Sequence, residues 1–256
     1  MSAMHQQQST RLTKKQKRVL RQEGVLEAKT TKLNPAKFSV KKDIEPITES
    51  QRIAFEAWDD GMNLMLHGIA GTGKTFLGLH FALSEVTSSH SQYRKVYIVR
   101  SVVPTRDMGF LPGNKTEKTK VFEGPYYDIA SKIFGRGDAY DILKQKQLVE
   151  FMSTSYIRGI TIDDAIIVVD EMQNMNAMEL HSIMTRVGVN CRIIFCGDLK
   201  QDDLTSERKK ETSGLGDFMR IIAKMKEFEF VEFFVDDIVR SDLVKSYIIE
   251  RDKLGL

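Results

Sequence analysis

The sequence predicts an α/β fold of three layers, in which helices cover both faces of a parallel β-sheet. Five short apolar runs, each bounded by turn residues, predict the strands: 63–68, 95–101, 165–171, 191–198 and 228–235. The middle three runs are almost continuously apolar, which is typical of parallel strands buried on both faces. Helical patterns at 75–88 and 176–188 separate strands, and this alternation predicts the layered arrangement.

One further helix is predicted ahead of the first strand, at 45–61. Thr48 or Ser50 can cap its first turn, and Gly61 can end it. Its apolar residues share one face: Ile53, Ala54, Ala57 and Trp58. The segment 102–160 interrupts the alternation and is too long for a simple crossover loop, so it predicts a small helical insertion.

Charge divides the chain into two parts. Residues 1–42 contain eleven Lys/Arg and two Glu, a net charge near +9, whereas the other 214 residues are near −6. We therefore predict a basic flexible arm at 1–45 and a folded domain at 46–256. A basic arm suggests a polyanionic partner, although a solvated tail that aids solubility has the same composition.

Composition excludes several classes of protein. No window approaches the roughly 18 consecutive apolar residues of a membrane span, and the first residues lack the apolar core of a signal peptide. We therefore expect a cytoplasmic protein without membrane contact. Cys191 and Cys196 lie five apart on one predicted strand, so their thiols point to opposite faces and cannot form a disulfide. The five histidines form no ligand-spaced group with them, so zinc is not predicted.

A glycine-rich loop follows the first predicted strand. It matches the phosphate-loop pattern G-x-x-x-x-G-K-[ST], with a strand before it and a helix after it. Such loops bind phosphate through backbone N–H groups and a helix N-terminus. We expect Lys74 to contact the β- and γ-phosphates of a nucleotide and Thr75 to bind Mg²⁺. The expected nucleotide-binding residues of the loop are Gly68, Ile69, Ala70, Gly71, Thr72, Gly73, Lys74, Thr75 and Phe76.

Two later strands end in residues that suit hydrolysis. Asp170 and Glu171 follow an apolar strand, where Asp170 can hold Mg²⁺ through water and Glu171 can polarise the attacking water. A surface strand end with two acids is the alternative. Gly197–Asp198 ends the next strand, and Gln201 is placed to report whether a γ-phosphate is present, unless this segment is only a polar turn.

Together these motifs carry a resemblance. The patterns D-E-x-Q-N (170–174) and G-D-x-x-Q (197–201) resemble the first motor domain of superfamily 1 helicases. More closely, the chain is similar to the PhoH-like family of phosphate-starvation ATPases, in the form carried by tailed phages. The matching text includes RSVV (100–103), PYYDI (125–129), MTRVG (184–188) and DDIVRSDLV (236–244). The resemblance implies a phosphate-loop NTPase with a RecA-like sheet that hydrolyses ATP with Mg²⁺, in a bacterial host's cytoplasm if a phage encodes it.

Two further roles follow from the resemblance. Gln51 resembles the adenine-reading glutamine upstream of helicase phosphate loops, the alternative being an exposed helix glutamine. Superfamily 1 helicases take a catalytic arginine from a second motor domain, and we expect no second motor domain in this sequence. Either catalysis is slow, or a neighbouring subunit supplies the arginine in a ring, for example a hexamer. Arg186 is the first candidate and Arg240 the second, with structural ion pairs to Glu179 or Asp242 as alternatives.

The expected partner is single-stranded nucleic acid, RNA rather than DNA. Phosphate contacts would come from the basic arm and from Arg106, Lys115, Lys118 and Lys120. Tyr126 and Tyr127 could stack on bases or pack in the core. The sequence thus predicts an oligomeric ATPase that acts as a helicase or translocase. Two alternatives stay open, an ATP-dependent switch that remodels proteins and a nucleotide-binding regulator with little turnover.

Overall fold

Six parallel strands form one sheet, in the order β3-β2-β4-β5-β1-β6. The computed structural model describes residues 38, 40, 44–102, 115–198 and 214–254, and for 115–120 it describes the helix backbone alone. The strands are β1 (Asn63–Gly68), β2 (Lys95–Arg100), β3 (Val149–Ser153), β4 (Ala165–Asp170), β5 (Cys191–Gly197) and β6 (Phe228–Phe233). Since all neighbours are parallel, the carboxyl ends of the strands share one edge of the sheet.

Seven α-helices are described: α1 (Glu49–Asp59), α2 (Lys74–Thr87), α3 (Lys115–Phe134), α4 (Ala139–Gln145), α5 (Ala177–Met184), α6 (Leu215–Ile222) and α7 (Asp242–Lys253). Short 3₁₀ turns cover Met172–Asn174 and Val235–Asp237. Within the described ranges, none of these helices is both long and apolar enough to cross a membrane. The described residues from 40 onward belong to a unit that spans 39–256.

Apolar side chains alternate between the two faces of the sheet. Val169 and Phe195 belong to a buried cluster that also contains Leu180 of α5 and Phe218 of α6. On the other face, Gly78 of α2 approaches side chains of the neighbouring strands so closely that a Cβ there would lie 3.1 Å from the sulfur of Cys196. Helices therefore cover both faces, and the predicted three-layer α/β fold is confirmed.

Local chemistry explains where α1 begins and ends. Thr48 is the N-cap, and its hydroxyl accepts a hydrogen bond of 3.4 Å from the Gln51 backbone N–H. Ala54, Ala57 and Trp58 are buried, as the predicted apolar face requires. The helix ends at Asp59, two residues before Gly61, whose φ of 85° suits glycine.

The range 102–160 contains one strand that the sequence pattern did not predict. Helices α3 and α4 lie in this range, but Val149–Ser153 pairs with β2 and forms the edge of the main sheet. The segment YDILKQKQLVEF (140–151) is rich in residues that favour helices. Its helix nevertheless ends at Gln145, and Gln147 takes a left-handed φ of 58° that turns the chain into the strand.

Candidate active site

The glycine-rich loop lies at the carboxyl edge of the sheet, between β1 and α2. Gly71 and Gly73 have φ angles of 81° and 88°, which favour glycine. Gly68 also has a positive φ, of 119°, and a further constraint, because a Cβ there would lie 2.2 Å from the backbone oxygen of Phe233 in β6. The Thr72 hydroxyl donates a 3.1 Å hydrogen bond to the Ile69 carbonyl and closes the turn. Glycine is thus required in this loop by the φ angles and by close contact with the neighbouring backbone, and such a loop can direct backbone N–H groups towards a phosphate.

Lys74 places a buried ammonium inside this loop. Its Nζ donates to the carbonyls of Gly68 and Ile69, at 3.3 and 2.6 Å, and to the Thr72 hydroxyl at 3.2 Å. The same nitrogen lies 2.9 Å from Oδ1 of Asp198, at the end of β5. A buried cation among left-handed glycines at the start of a 14-residue helix fits a phosphate group.

Asp170 and Thr75 meet beside the loop. The carboxylate of Asp170 is 3% exposed, and its Oδ1 accepts a 2.7 Å hydrogen bond from the Thr75 hydroxyl. Its Oδ2 accepts a 2.9 Å hydrogen bond from the hydroxyl of Tyr126 and lies 4.0 Å from Nη1 of Arg100. A hydroxyl and a carboxylate next to a phosphate cradle are oxygen ligands that fit Mg²⁺.

Glu171 adjoins this pair in an unusual backbone conformation. Its φ is 54°, and its Oε2 accepts a 2.6 Å hydrogen bond from Nε2 of Gln173. Burial raises the pKa of Glu171, and the charge of Asp170 adds to the increase. The amide oxygen of Gln173 accepts a 3.1 Å hydrogen bond from the Asp198 N–H. Gln173 therefore connects the predicted base to the end of β5.

The two candidate arginines lie at opposite ends of the strands, Arg186 at the amino ends and Arg240 at the carboxyl ends. The Arg186 carbonyl accepts a 2.9 Å hydrogen bond from the backbone N–H of Ile162, which precedes β4. The six residues of β4 span roughly 20 Å, so Arg186 is remote from its own chain's phosphate loop. Arg240, in contrast, approaches that loop, with its Cγ 3.2 Å from the place of a Cβ on Gly71. Among the described residues, neither arginine forms the alternative ion pair with Glu179 or Asp242.

Gln51 is buried, so the alternative of an exposed glutamine is wrong. Only 5% of the residue is exposed, and its Oε1 accepts a 3.0 Å hydrogen bond from the Ile47 N–H. A cleft of about 590 Å³ lies between the start of α1 and the end of β6, and its lining includes Ser50, the residue before Gln51, but not Gln51 itself. Its lining combines apolar and acidic side chains, among them Ile47, Phe230, Phe234, Glu232 and Asp236.

The two tyrosines of the PYYDI motif have different surroundings. Tyr126 is 1% exposed and packs near Phe151 of β3, so base stacking is excluded for it and core packing is correct. Tyr127 donates a 2.9 Å hydrogen bond to Asp141 and contacts the ring of Tyr140. Burial, together with Asp141, raises the pKa of Tyr127 to about 12.

Several predicted residues lie outside the part of the chain that the structure describes. They are Gln201, Arg106, the side chains of Lys115, Lys118 and Lys120, and the basic arm before residue 38. Three residues that contact the acidic strand end were not assigned to the site from the sequence: Arg100, Tyr126 and Gln173. The rule that parallel strands end at one edge could have placed Arg100, the last residue of β2, beside Asp170.

A comparison with known families decides the relationship. The profile of the PhoH-like protein family matches residues 43–250. The chain belongs to the PhoH-like family. The PhoH-like protein of Bacillus subtilis (strain 168) is 32% identical over 187 residues, which cover 73% of this chain and 57% of that relative. Protein PhoH of Escherichia coli (strain K12) is 30% identical over 207 residues, covering 79% and 57%.

This PhoH-like chain spans just over half the length of these curated relatives. Among solved structures, the large terminase of a thermophilic bacteriophage, in complex with ADP, overlaps 79% of this chain and 49% of its own. The identity in that overlap is 14% and the TM-score is 0.45. The family assignment rests on the profile and on the curated relatives.

Proposed function

We propose that this chain hydrolyses ATP with Mg²⁺ and uses the energy as an oligomeric motor on single-stranded nucleic acid, RNA rather than DNA. One observation carries the hydrolysis: Thr75 and Asp170 share a hydrogen bond of 2.7 Å beside the buried Lys74. The phosphate loop and the acidic strand end are therefore already joined into one site, which supports the assignment of both motifs.

Each residue of the site has a chemical task in this proposal. Lys74 and the loop N–H groups bind the β- and γ-phosphates, while Thr75 and Asp170 hold Mg²⁺. The metal, when bound, neutralises charge on the phosphate oxygens. Glu171 orients the attacking water and takes its proton, a task for which a raised carboxyl pKa is suitable. Gln201, outside the described residues, would report the γ-phosphate.

The cleft beside Gln51 is the proposed adenine site. Glutamine can accept from the adenine amino group and donate to its N7, which favours ATP over GTP. Because the Oε1 of Gln51 accepts a hydrogen bond from the Ile47 N–H, its Nε2 is the group that this proposal assigns to N7 of the base. The carboxylates that line the cleft repel phosphate, so the triphosphate would lie towards Lys74 and the base towards Gln51.

The position of Arg186 suggests an assembly of identical chains. Arg186 lies far from its own site, so it can serve catalysis only in a neighbour's site. Arg240 lies against the phosphate loop of its own chain and could act there. A ring with Arg186 at each interface would let hydrolysis move subunits against one another. The basic arm, whose residues 1–42 carry a net charge near +9, would hold the polymer.

An ATPase assay with no polymer, with poly-U and with poly-dT tests the proposal. We expect Mg²⁺-dependent hydrolysis of ATP, stimulated more by poly-U than by poly-dT. Lys74→Ala should abolish turnover, whereas Lys226→Ala, on an exposed turn, should not. Equal rates in all three conditions would favour the protein-remodelling switch. Nucleotide binding without turnover would favour the regulator.

A further inference from the structure

The buried hydroxyl of Tyr126 reaches the acidic end of β4 from a helix outside the main strand–helix alternation. It donates a 2.9 Å hydrogen bond to Oδ2 of Asp170. Tyr126 and Asp170 are 1% and 3% exposed, so water does not compete for this contact. Neither the phosphate-loop pattern nor the two acidic motifs contains this tyrosine.

The hydrogen bond fixes the rotation of the carboxylate. With Thr75 donating to Oδ1 and Tyr126 donating to Oδ2, both oxygens of Asp170 have a defined partner. A tyrosine hydroxyl carries its proton at neutral pH, so Tyr126 is the donor and the Asp170 carboxylate is the acceptor in this contact. The Arg100 guanidinium, 4.0 Å from the same Oδ2, adds positive charge on that side.

The helix that carries Tyr126 is itself held in place. The preceding turn contains Glu123, 4% exposed, which accepts a 2.7 Å ion-paired hydrogen bond from Lys144 of α4. The ring of Tyr126 packs near Phe151 of β3, with centroids 5.9 Å apart. Because α3 is held in place by these contacts, the Tyr126 hydroxyl has a fixed position and can determine the orientation of the Asp170 carboxylate.

We propose that Tyr126 is a positioning residue, which holds the Asp170 carboxylate in the orientation that binds Mg²⁺ with the nucleotide. The proposal rests on the proposed function, because it assumes that Asp170 is a metal ligand. Partners of metal-ligating carboxylates matter in general, since their removal costs about 10–100-fold in metal affinity. In this proposal α3 supports the metal site, and a displacement of α3 would change the orientation of the Asp170 carboxylate and lower the affinity for Mg²⁺.

The test measures binding rather than turnover. The affinity of a fluorescent ADP, carrying N-methylanthraniloyl on its ribose, is titrated at increasing Mg²⁺ for the wild-type chain and Tyr126→Phe. We expect the Mg²⁺ concentration for half-maximal effect to rise by about tenfold or more in the variant. The affinity measured in EDTA should be unchanged, which a merely structural defect of the nucleotide site would not produce.

Tyr127→Phe is the matched control. It removes the same atom from the next residue of α3, but that hydroxyl binds Asp141 and does not approach Asp170. Its Mg²⁺ dependence should equal that of the wild-type chain. An unchanged Mg²⁺ dependence in Tyr126→Phe, with wild-type binding intact, would overturn the proposal. If the wild-type chain bound no nucleotide at all, the proposed function itself would fail.

A double-mutant cycle covers the case in which Tyr126→Phe perturbs the fold. If the hydroxyl acts through the carboxylate, Tyr126→Phe should have no further effect on the Mg²⁺ dependence in an Asp170→Asn background. Independent, additive losses would contradict the coupling. Circular dichroism and the melting temperature of each variant identify any that is unfolded, and Tyr126→Met, which lacks the hydroxyl and can adapt to the same buried space, then replaces Tyr126→Phe. Failure of that variant and of the cycle to show coupling would overturn the proposal.

Discussion

The ammonium of Lys74 lies 2.9 Å from a carboxylate oxygen of Asp198, inside the loop that is proposed to bind phosphate. The lysine side chain is 4% exposed and the aspartate side chain 44%. Before Lys74 can pair fully with a nucleotide's phosphates, it must give up part of this contact. The two anions therefore compete for one cation.

Asp198→Asn should strengthen nucleotide binding, because it removes the competing charge. A half-exposed ion pair contributes up to about 1 kcal/mol, so the Kd for ADP should fall by about fivefold. Fluorescence titration of labelled ADP measures the change. Asp217→Asn, in an exposed pair with Arg220 on α6, is the control. Weaker binding in Asp198→Asn would mean that Asp198 assists the nucleotide instead.

Glu171→Gln should bind ATP but hydrolyse it about 10²–10⁴-fold more slowly, because the amide cannot accept the proton of the attacking water. Single-turnover hydrolysis, with nucleotide affinity measured in parallel, checks both parts. Glu150→Gln removes a carboxylate that pairs with Lys95 instead and should keep full activity. Full turnover in Glu171→Gln would show that the base is misassigned.

The raised pKa of Glu171 predicts a pH-dependent gain in stability for the same variant. Burial and Asp170 make the folded chain hold this proton more tightly than the unfolded chain does. The ionised form therefore opposes folding once the pH exceeds the folded pKa, and this cost disappears below the unfolded pKa. In EDTA without nucleotide, Glu171→Gln should melt at a higher temperature than wild type at about pH 8. A gain that grew as the pH fell would contradict the pKa shift.

Mixtures of inactive variants distinguish the two arginines. Lys74→Ala with Arg186→Ala should recover some ATPase activity, because a mixed assembly can combine an intact phosphate loop with a neighbour's Arg186. Lys74→Ala with Arg240→Ala should recover none, if Arg240 acts on the adjacent loop of its own chain. The test requires mixed assemblies to be confirmed by native mass measurement. Recovery with Arg240→Ala but not with Arg186→Ala would mean that Arg240 acts in a neighbour's site and Arg186 does not.

Alanine substitutions at two glycines of the loop should have different main effects. Gly68→Ala should lower the free energy of unfolding by about 2–4 kcal/mol, since its Cβ would collide with the Phe233 backbone. Gly73→Ala meets only a side-chain atom of Val239 at 3.6 Å, so its cost is mainly the strained φ. It should remain folded while losing nucleotide affinity. Chemical denaturation and ADP titration separate these effects, and equal stability in both variants would contradict the distinction.

The fold was predictable wherever burial imposed a repeating pattern. β4 reads as a continuous apolar run because all six of its residues are buried, and its position in the centre of the sheet requires that. β3 was not predictable in the same way. It is an edge strand with an exposed Glu150, and its neighbours Lys146 and Gln147 are as common in helices as in turns. Gln147 adopts a left-handed φ because of its tertiary surroundings, and since it is not a glycine the sequence does not indicate this conformation.

The site was predictable where chemistry demands a fixed spacing along the chain. Lys74 and Thr75 follow from the loop pattern, and Asp170 and Glu171 from the strand end. Tyr126 reaches Asp170 across 44 positions of sequence, so no local pattern connects them. The same holds for Arg186 and Arg240: the sequence analysis ranked them first and second, but no local pattern shows that they lie at opposite ends of the strands.

That separation gives the molecule two unlike ends. If one end serves a neighbour's phosphate loop, each contact joins different surfaces, and every added subunit repeats the same rotation. Such an assembly is directional, and it closes on itself only if the rotation divides a full turn evenly. A strand of nucleic acid passing along it would meet subunits that all face one way. The position of a single arginine relative to β4 would then set the polarity of the whole assembly.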